Sequence, residues 1–245
     1  KPPPQYFPNN VRMNKSINTN IDEVLHKGTT PLNPSTFKKL SEQKDVLVID
    51  TRSKEAYSNE GTIPGAWYIG IDGSFAPWVG ALVSDINQKI IFVTDDELRI
   101  HEIVTRFSRV GYDNTLGYLN GGIANWKSYG YELEFIKSIS ATKFVDMLAE
   151  EKVEKPIDVR KESEYFSEHV IGVENFPLDD IHTNFKKINP EKNYFLHCKS
   201  GYRSLIAASI FKANGVKKVT NIEGGFKEIV KTKIPLSDYI CPTNF

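Results

Sequence analysis

The residues best placed to do chemistry lie together in Cys198-Lys199-Ser200-Gly201-Tyr202-Arg203-Ser204. Ahead of them, Tyr194, Phe195 and Leu196 form an apolar run. Behind them, Leu205, Ile206, Ile210 and Phe211 recur at helical spacing, with Ala207, Ala208 and Ser209 between. The pattern predicts a strand, a tight loop and a helix start. Backbone N–H groups in the first turn of a helix lack intrahelical partners, and the dipole is positive there, so an anion is stabilised. A thiol at that place is expected to ionise more readily than a free cysteine, whose pKa is about 8.5. Lys199 and Arg203 would add positive charge. Gly201 would let the loop curl, so that several N–H groups point at one centre. A lone strand-end cysteine is most often a small buried hydrophobe. Here strand, basic glycine loop and helix start coincide, and that favours a nucleophile.

The supporting elements must bring this loop to the end of a sheet. Asp45 to Asp50 is a short apolar run bounded by acids, as buried strands are, and Lys89 to Thr94 is another. Between them come Asp50-Thr51-Arg52 and Gly61-Thr62-Ile63-Pro64-Gly65-Ala66. Leu98 to Val110 has helical periodicity closed by Gly111, and Asn120-Gly121-Gly122 turns a further strand into a helix ending near Trp126. The second half repeats the order. Ala141 to Leu148 matches the opening helix, Pro156 to Arg160 the first strand with its Asp-x-Arg end, and Glu168 to Val173 the glycine loop. Gly215 matches Gly111, and Glu223-Gly224-Gly225 matches Asn120-Gly121-Gly122. Such self-similarity means duplication rather than a solenoid. Alternating strands and helices predict α/β architecture: two units, each a parallel sheet with helices on both faces. The boundaries expected are an extension over 1–28, a first domain over 29–135 and a second over 136–245.

Aligning the halves on their glycines puts Thr94 opposite Cys198 and Arg99 opposite Arg203. Asp95, Asp96 and Glu97 replace Lys199, Ser200 and Gly201. Carboxylates repel a thiolate or any other anion brought to the loop; one like-charge contact at ~4 Å costs about 1 kcal/mol in water. The first domain is therefore expected to be catalytically silent, and to cover the second domain's cleft or supply packing.

Cysteine, four residues and arginine resembles the active-site loop of rhodanese-type sulfurtransferases. Related phosphatases carry one residue more in that interval, and a shorter loop suits a single sulfur better than a phosphate. The repeated Asp-x-Arg, Gly-x-Ile-Pro-Gly-Ala and Gly-Gly-x-x-x-Trp pieces resemble a tandem rhodanese pair over nearly the whole chain after Gly28. The resemblance implies that Cys198 takes sulfane sulfur from thiosulfate or a thiol persulfide, holds it as a persulfide, and passes it to a thiol or cyanide acceptor. Amides from Lys199 to Ser204 would stabilise the developing charge. Lys199 and Arg203 would attract the donor, and Tyr202 either stacks at the pocket mouth or faces solvent. Asp158 and Arg160, like Asp50 and Arg52, are expected to pair and tie a loop down rather than act as acid and base. His169 falls at the family's recurrent histidine of that loop, where a bracing role is expected. His197 should face away from the thiol by strand alternation.

Two alternatives stand beside sulfur transfer: a phosphatase or arsenate-reductase-like enzyme using the same loop, and a thiol-sensing or interaction module. The Pro-rich start Lys1–Pro8 and the apolar segment Ile71–Leu82 with Trp78 resemble the rhodanese half of fusions that carry a metallo-β-lactamase-fold domain upstream. In that case iron would belong only to the missing domain. This chain is expected to hold no cofactor and no metal, and its five histidines show no ligand spacing.

Basic and acidic residues balance at 31 each, which argues against nucleic acid as a partner. No apolar run approaches the ~20 residues of a membrane helix. The start has no apolar core of a signal peptide. Of the two cysteines, Cys241 lies in a polar tail and is expected to be incidental, and such sparse use suits a reducing cytoplasmic compartment. The oligomeric state is left open, a homo-oligomer included.

Overall fold

The computed structural model describes residues 20–241; the Pro-rich start lies outside them. The chain divides into two units between Glu134 and Phe135. The first unit carries β1 (Pro31–Leu32), β2 (Val46–Asp50), β3 (Trp67–Tyr68), β4 (Lys89–Val93) and β5 (Thr115–Leu119). The second carries β6 (Lys137–Ile139), β7 (Lys155–Asp158), β8 (Glu174–Asn175), β9 (Asn193–His197) and β10 (Lys218–Ile222). All pairings between these strands are parallel. The sheet orders are β1-β5-β4-β2-β3 and β6-β10-β9-β7-β8, the same topology twice. The expected architecture is thus the one observed. Parallel sheets bury both faces, which is why Ile90–Val93 and Tyr194–Leu196 read as uninterrupted apolar runs and are fully buried.

Helices alternate with these strands: α1 (Ile21–Gly28), α2 (Pro34–Ser41), α3 (Lys54–Glu60), α4 (Phe75–Leu82), α5 (Ile100–Ser108) and α6 (Gly122–Ser128) in the first unit. The second has α7 (Ala141–Ala149), α8 (Glu162–Ser167), α9 (Ile181–Asn184), α10 (Tyr202–Ala213) and α11 (Phe226–Ile229). Their starts follow local chemistry. Asn33 accepts from the Thr36 N–H at 2.9 Å with Pro34 next in the chain, and Ser140 accepts from the Lys143 N–H at 3.2 Å. In the first unit Phe37 meets Trp126 edge-on at 6.2 Å on one side of the sheet. In the same unit Phe107 packs against Phe75 and Phe92. Trp78 is half-buried on α4 while Phe75, Val79 and Leu82 take the interior positions.

The stretch to Gly28, expected as an extension, ends in a helix of the first unit. Asn20 caps α1, Val24 is buried, and α1 packs on β5 and α5. The approach is close enough that a Cβ at Gly28 would stand 2.6 Å from Val104 Cγ1. Polar composition hid one apolar stripe wide enough to dock.

Each unit repeats one ion pair at the end of its inner strand. In the first, Arg52 Nε and Nη2 donate to Asp50 at 3.0 and 2.8 Å, and Nη2 also reaches the Gly61 carbonyl at 2.6 Å. In the second, Arg160 Nε donates to Asp158 Oδ2 at 2.8 Å and Nη2 to the Glu168 carbonyl at 2.8 Å. Both carboxylates are fully buried. The Arg160 guanidinium also lies 3.8 Å from the centre of the Phe226 ring. Removing one partner of such a pair strands the other charge. Asp158→Ala should therefore lose about 3–5 kcal/mol of unfolding free energy in urea titration; a loss below about 1 kcal/mol would show that the pair is dispensable.

Candidate active site

Cys198 leaves the C-terminal end of β9, which lies between β10 and β7, and α10 starts four residues later. Gly201 precedes that helix with φ at +96°, a left-handed turn that costs a glycine little. The turn aims the Gly201 N–H at Cys198 Sγ, 3.2 Å away. Ser204 Oγ, in the first turn of α10, lies 3.6 Å from the same sulfur. The sulfur therefore sits at the positive end of a 12-residue helix with one amide and one hydroxyl facing it. The cysteine is 1% exposed, the floor of its loop rather than the rim.

The back of the loop is fixed by main chain. The Phe226 N–H donates to the Cys198 carbonyl at 2.7 Å, and the Lys227 N–H to the Lys199 carbonyl at 3.0 Å. This requires Gly225, where φ is +57° and a Cβ would stand 2.2 Å from the Cys198 oxygen. Lys199 and Ser200 are exposed; Tyr202 and Arg203 are half-buried.

Arg203 differs from expectation. Its guanidinium makes a two-pronged pair with Glu164 of α8, at 2.5 and 2.9 Å, so its charge is shared with a carboxylate rather than given to the sulfur alone. Burial opposes the Arg203 charge, but Glu164 outweighs it and raises the guanidinium pKa. Burial likewise disfavours the Glu164 anion, yet Arg203 holds that carboxyl below its ordinary 4.5. Glu164 also accepts from the Lys161 N–H at 3.3 Å, locking the start of α8. Sequence reading missed it, because nothing near Glu164 in the chain points to a loop 39 residues on.

Asp158 and Arg160 lie behind the loop, paired with each other as described. His169 Nδ1 is 2.9 Å from the Tyr165 carbonyl, and its ring stacks on Tyr165 at 3.8 Å. Its main chain exchanges bonds with Ser237, so the residue joins α8 to the C-terminal strap. His197 is wholly buried between Phe144 and Phe226, with Nδ1 3.8 Å from Asp158 Oδ1 and neither ring nitrogen hydrogen-bonded. Burial pushes its pKa below 6.5, against the pull of Asp158, which keeps the ring neutral. Asn221 was also missed. This buried polar residue on β10 places Oδ1 2.7 Å from Ser204 Oγ.

The matching loop of the first unit is built otherwise. Thr94 follows β4 as Cys198 follows β9. Thr94 Oγ1 accepts from the Asp96 N–H at 3.2 Å, and Asp96 Oδ1 accepts from the Leu98 N–H at 3.0 Å. Arg99 is bound by Asp72 at 2.6 Å and Glu102 at 2.9 Å. Asp95, Asp96 and Glu97 are all exposed, and Leu98 is 95% exposed. Among the described residues no three His, Cys, Asp or Glu side chains stand close enough to hold a metal, and no helix is long and apolar enough to cross a membrane.

Comparison with known proteins gives matching results. The family model described as Rhodanese-like domain matches residues 33–129 and 140–232. A thiosulfate sulfurtransferase of Escherichia coli (strain K12), PspE, is 33% identical over 102 residues, 41% of this chain and 97% of its own. The uncharacterized protein YqhL of Bacillus subtilis (strain 168) is 31% identical over 101 residues, 41% of this chain and 78% of its own. A solved rhodanese-like domain protein from Staphylococcus aureus is 26% identical, with 42% of this chain and all of that chain covered at a TM-score of 0.38.

The depressed Glu164 pKa fixes a pH dependence. Stability from a carboxyl lowered in the fold is complete above its unfolded pKa and is lost as pH falls through the folded one. The natural chain should exceed Glu164→Gln in unfolding free energy by a constant gap above about pH 5, and the gap should close as the medium is acidified further. A gap that widened on acidification would contradict the assignment.

Proposed function

The chain belongs to the rhodanese-like domain family, and from that premise we propose that it is a sulfurtransferase whose carrier is Cys198. The observation that carries the reading is the Gly201 N–H directed at Cys198 Sγ from the start of α10. A donor aimed at the sulfur stabilises negative charge on it, whether the group is a thiolate before attack or a persulfide after it.

The Cys198 thiolate attacks the outer sulfur of thiosulfate or of a thiol persulfide. One S–S bond forms at Cys198; the donor's bond breaks, and its electron pair leaves on sulfite or on the donor thiolate. A thiol or cyanide then attacks the outer sulfur, and the Cys198 thiolate departs with the electron pair, ready for another round. Lys199, exposed at the rim, draws the anionic donor in. Ser200 is exposed beside it and Tyr202 is half-buried. Arg203, tethered to Glu164, fixes the loop's first helical turn more than it supplies free charge. Because the cysteine is 1% exposed, the site favours slender donors over bulky ones.

The first unit lacks the thiol and fills the same loop with carboxylates, which supports a non-catalytic role for it. Placement in a reducing, cytoplasmic compartment accords with this chemistry, since a carrier thiol must stay reduced between turnovers. The likeness to fusions with an upstream metallo-β-lactamase-fold domain is proposed for the Ile71–Leu82 segment, much of which forms α4.

Cys198→Ser should abolish transfer of sulfur from thiosulfate and from glutathione persulfide to cyanide or a thiol. Cys241→Ser should turn over at the natural rate. Retained transfer in Cys198→Ser, or hydrolysis of an aryl phosphate that depends on Cys198, would overturn the reading.

A further inference from the structure

Ser204 has one hydroxyl proton and three acceptors around it. Asn221 Oδ1 stands at 2.7 Å, the Gly201 carbonyl at 3.2 Å and Cys198 Sγ at 3.6 Å. Ser204 is fully buried and Asn221 is 5% exposed, so water does not settle the competition. As oriented, the amide oxygen takes the proton and the sulfur keeps the Gly201 N–H. A side-chain amide, however, has two ends of nearly equal size, and its orientation follows the hydrogen bonds around it.

The far end of Asn221 faces a group that accepts either orientation. Nδ2 lies 3.4 Å from Ser138 Oγ on the neighbouring strand β6, and a hydroxyl both donates and accepts. If the amide turns over, Nδ2 donates to Ser204 Oγ and Oδ1 accepts from Ser138. The Ser204 proton is then free of its nearest acceptor, and its hydroxyl, polarised by the incoming N–H, donates to the sulfur.

We propose that Asn221 is a positioning residue that hands the Ser204 hydroxyl proton to Cys198 when the sulfur becomes anionic and takes it back when the sulfur is neutral. The proposal rests on the reading of Cys198 as the sulfur carrier and adds a residue to that reading.

The two units supply an internal comparison. Sheet register places Tyr118 where Asn221 stands, since Phe92 pairs with Tyr118 as Leu196 pairs with Asn221. Pro31 stands where Ser138 does. Ile100, at the start of α5, occupies the place of Ser204, and Thr94 that of Cys198. All three relay residues are missing from the unit without the thiol. A polar group kept only for sheet packing would have no reason to depart together with the cysteine.

The test is titration of the Cys198 thiolate by its absorbance near 240 nm, read as the difference between each protein and its Cys198→Ser counterpart so that Cys241 and the tyrosines cancel. Without Asn221 the Ser204 proton defaults to the nearer Gly201 carbonyl. Asn221→Ala should then raise the titration midpoint by roughly one pH unit. Added to Ser204→Ala, the same substitution should shift nothing further, because Asn221 acts only through that hydroxyl. An unchanged midpoint in Asn221→Ala, or equal and additive shifts in the two backgrounds, would overturn the proposal. Should Asn221→Ala fail to fold, Ser138→Ala, at a partly exposed position, carries the same test: a smaller rise that vanishes in the Ser204→Ala background, with additivity again the contrary result. Thiolate titration does not require turnover, so loss of sulfur transfer and loss of this coupling are separate failures.

Discussion

The site depends on one close approach, that of Gly225 to the carbonyl of Cys198. A side chain at Gly225 would place its Cβ inside the contact distance of that oxygen. Its absence lets the start of α11 bind the Cys198 and Lys199 carbonyls from behind. With both carbonyls held there, the loop turns so that the Gly201 N–H is directed at the sulfur. The left-handed Gly201 completes the turn, and α10 begins with its dipole aligned on the thiol. One amide and one hydroxyl are thus set against the sulfur without any of the loop's long side chains.

The buried pairs keep this arrangement from relaxing. Asp158 and Arg160 fasten the neighbouring strand end to the Glu168 carbonyl, while the Arg160 plane covers Phe226 in the helix that binds the loop. Arg203 and Glu164 then join α10 to α8. In the first unit the equivalent Asp50–Arg52 pair is retained, and with it the fold, but the loop carries a row of exposed carboxylates, with Thr94 Oγ1 and Asp96 Oδ1 accepting from the loop's own N–H groups. The pair that ties the sheet is therefore shared by the two copies, and the polar surroundings of the sulfur are not.

How far the amino-acid sequence discloses this depends on whether partners are neighbours in the chain. The strand-loop-helix around Cys198 is contiguous, so its geometry follows from local pattern, as do the Asp-x-Arg ends and the doubled order of elements. Partners delivered by a parallel crossover are different. Glu164 is an ordinary first-turn acid of a helix until α8 is set beside α10. Asn221 and Ser138 meet only because β6 and β10 are adjacent in the sheet, 83 residues apart in the chain. Asn221 did carry a weak signal, a carboxamide next to Ile222 in the strand-like stretch Val219-Thr220-Asn221-Ile222, where a buried amide asks for a partner. The helix Ile21–Gly28 escaped notice for another reason: its docking rests on Val24 and a glycine, too little apolar content to stand out.

Under the proposed function, the Gly201 amide and the α10 dipole let Cys198 carry a sulfur atom. Intact-mass spectrometry with peptide mapping, after brief exposure to thiosulfate or glutathione persulfide, reads this directly. One added sulfur atom is expected on the Cys198 peptide, discharged by cyanide and not formed on Cys241. A Cys198 peptide of unchanged mass with both donors, in protein shown to be folded, would contradict it.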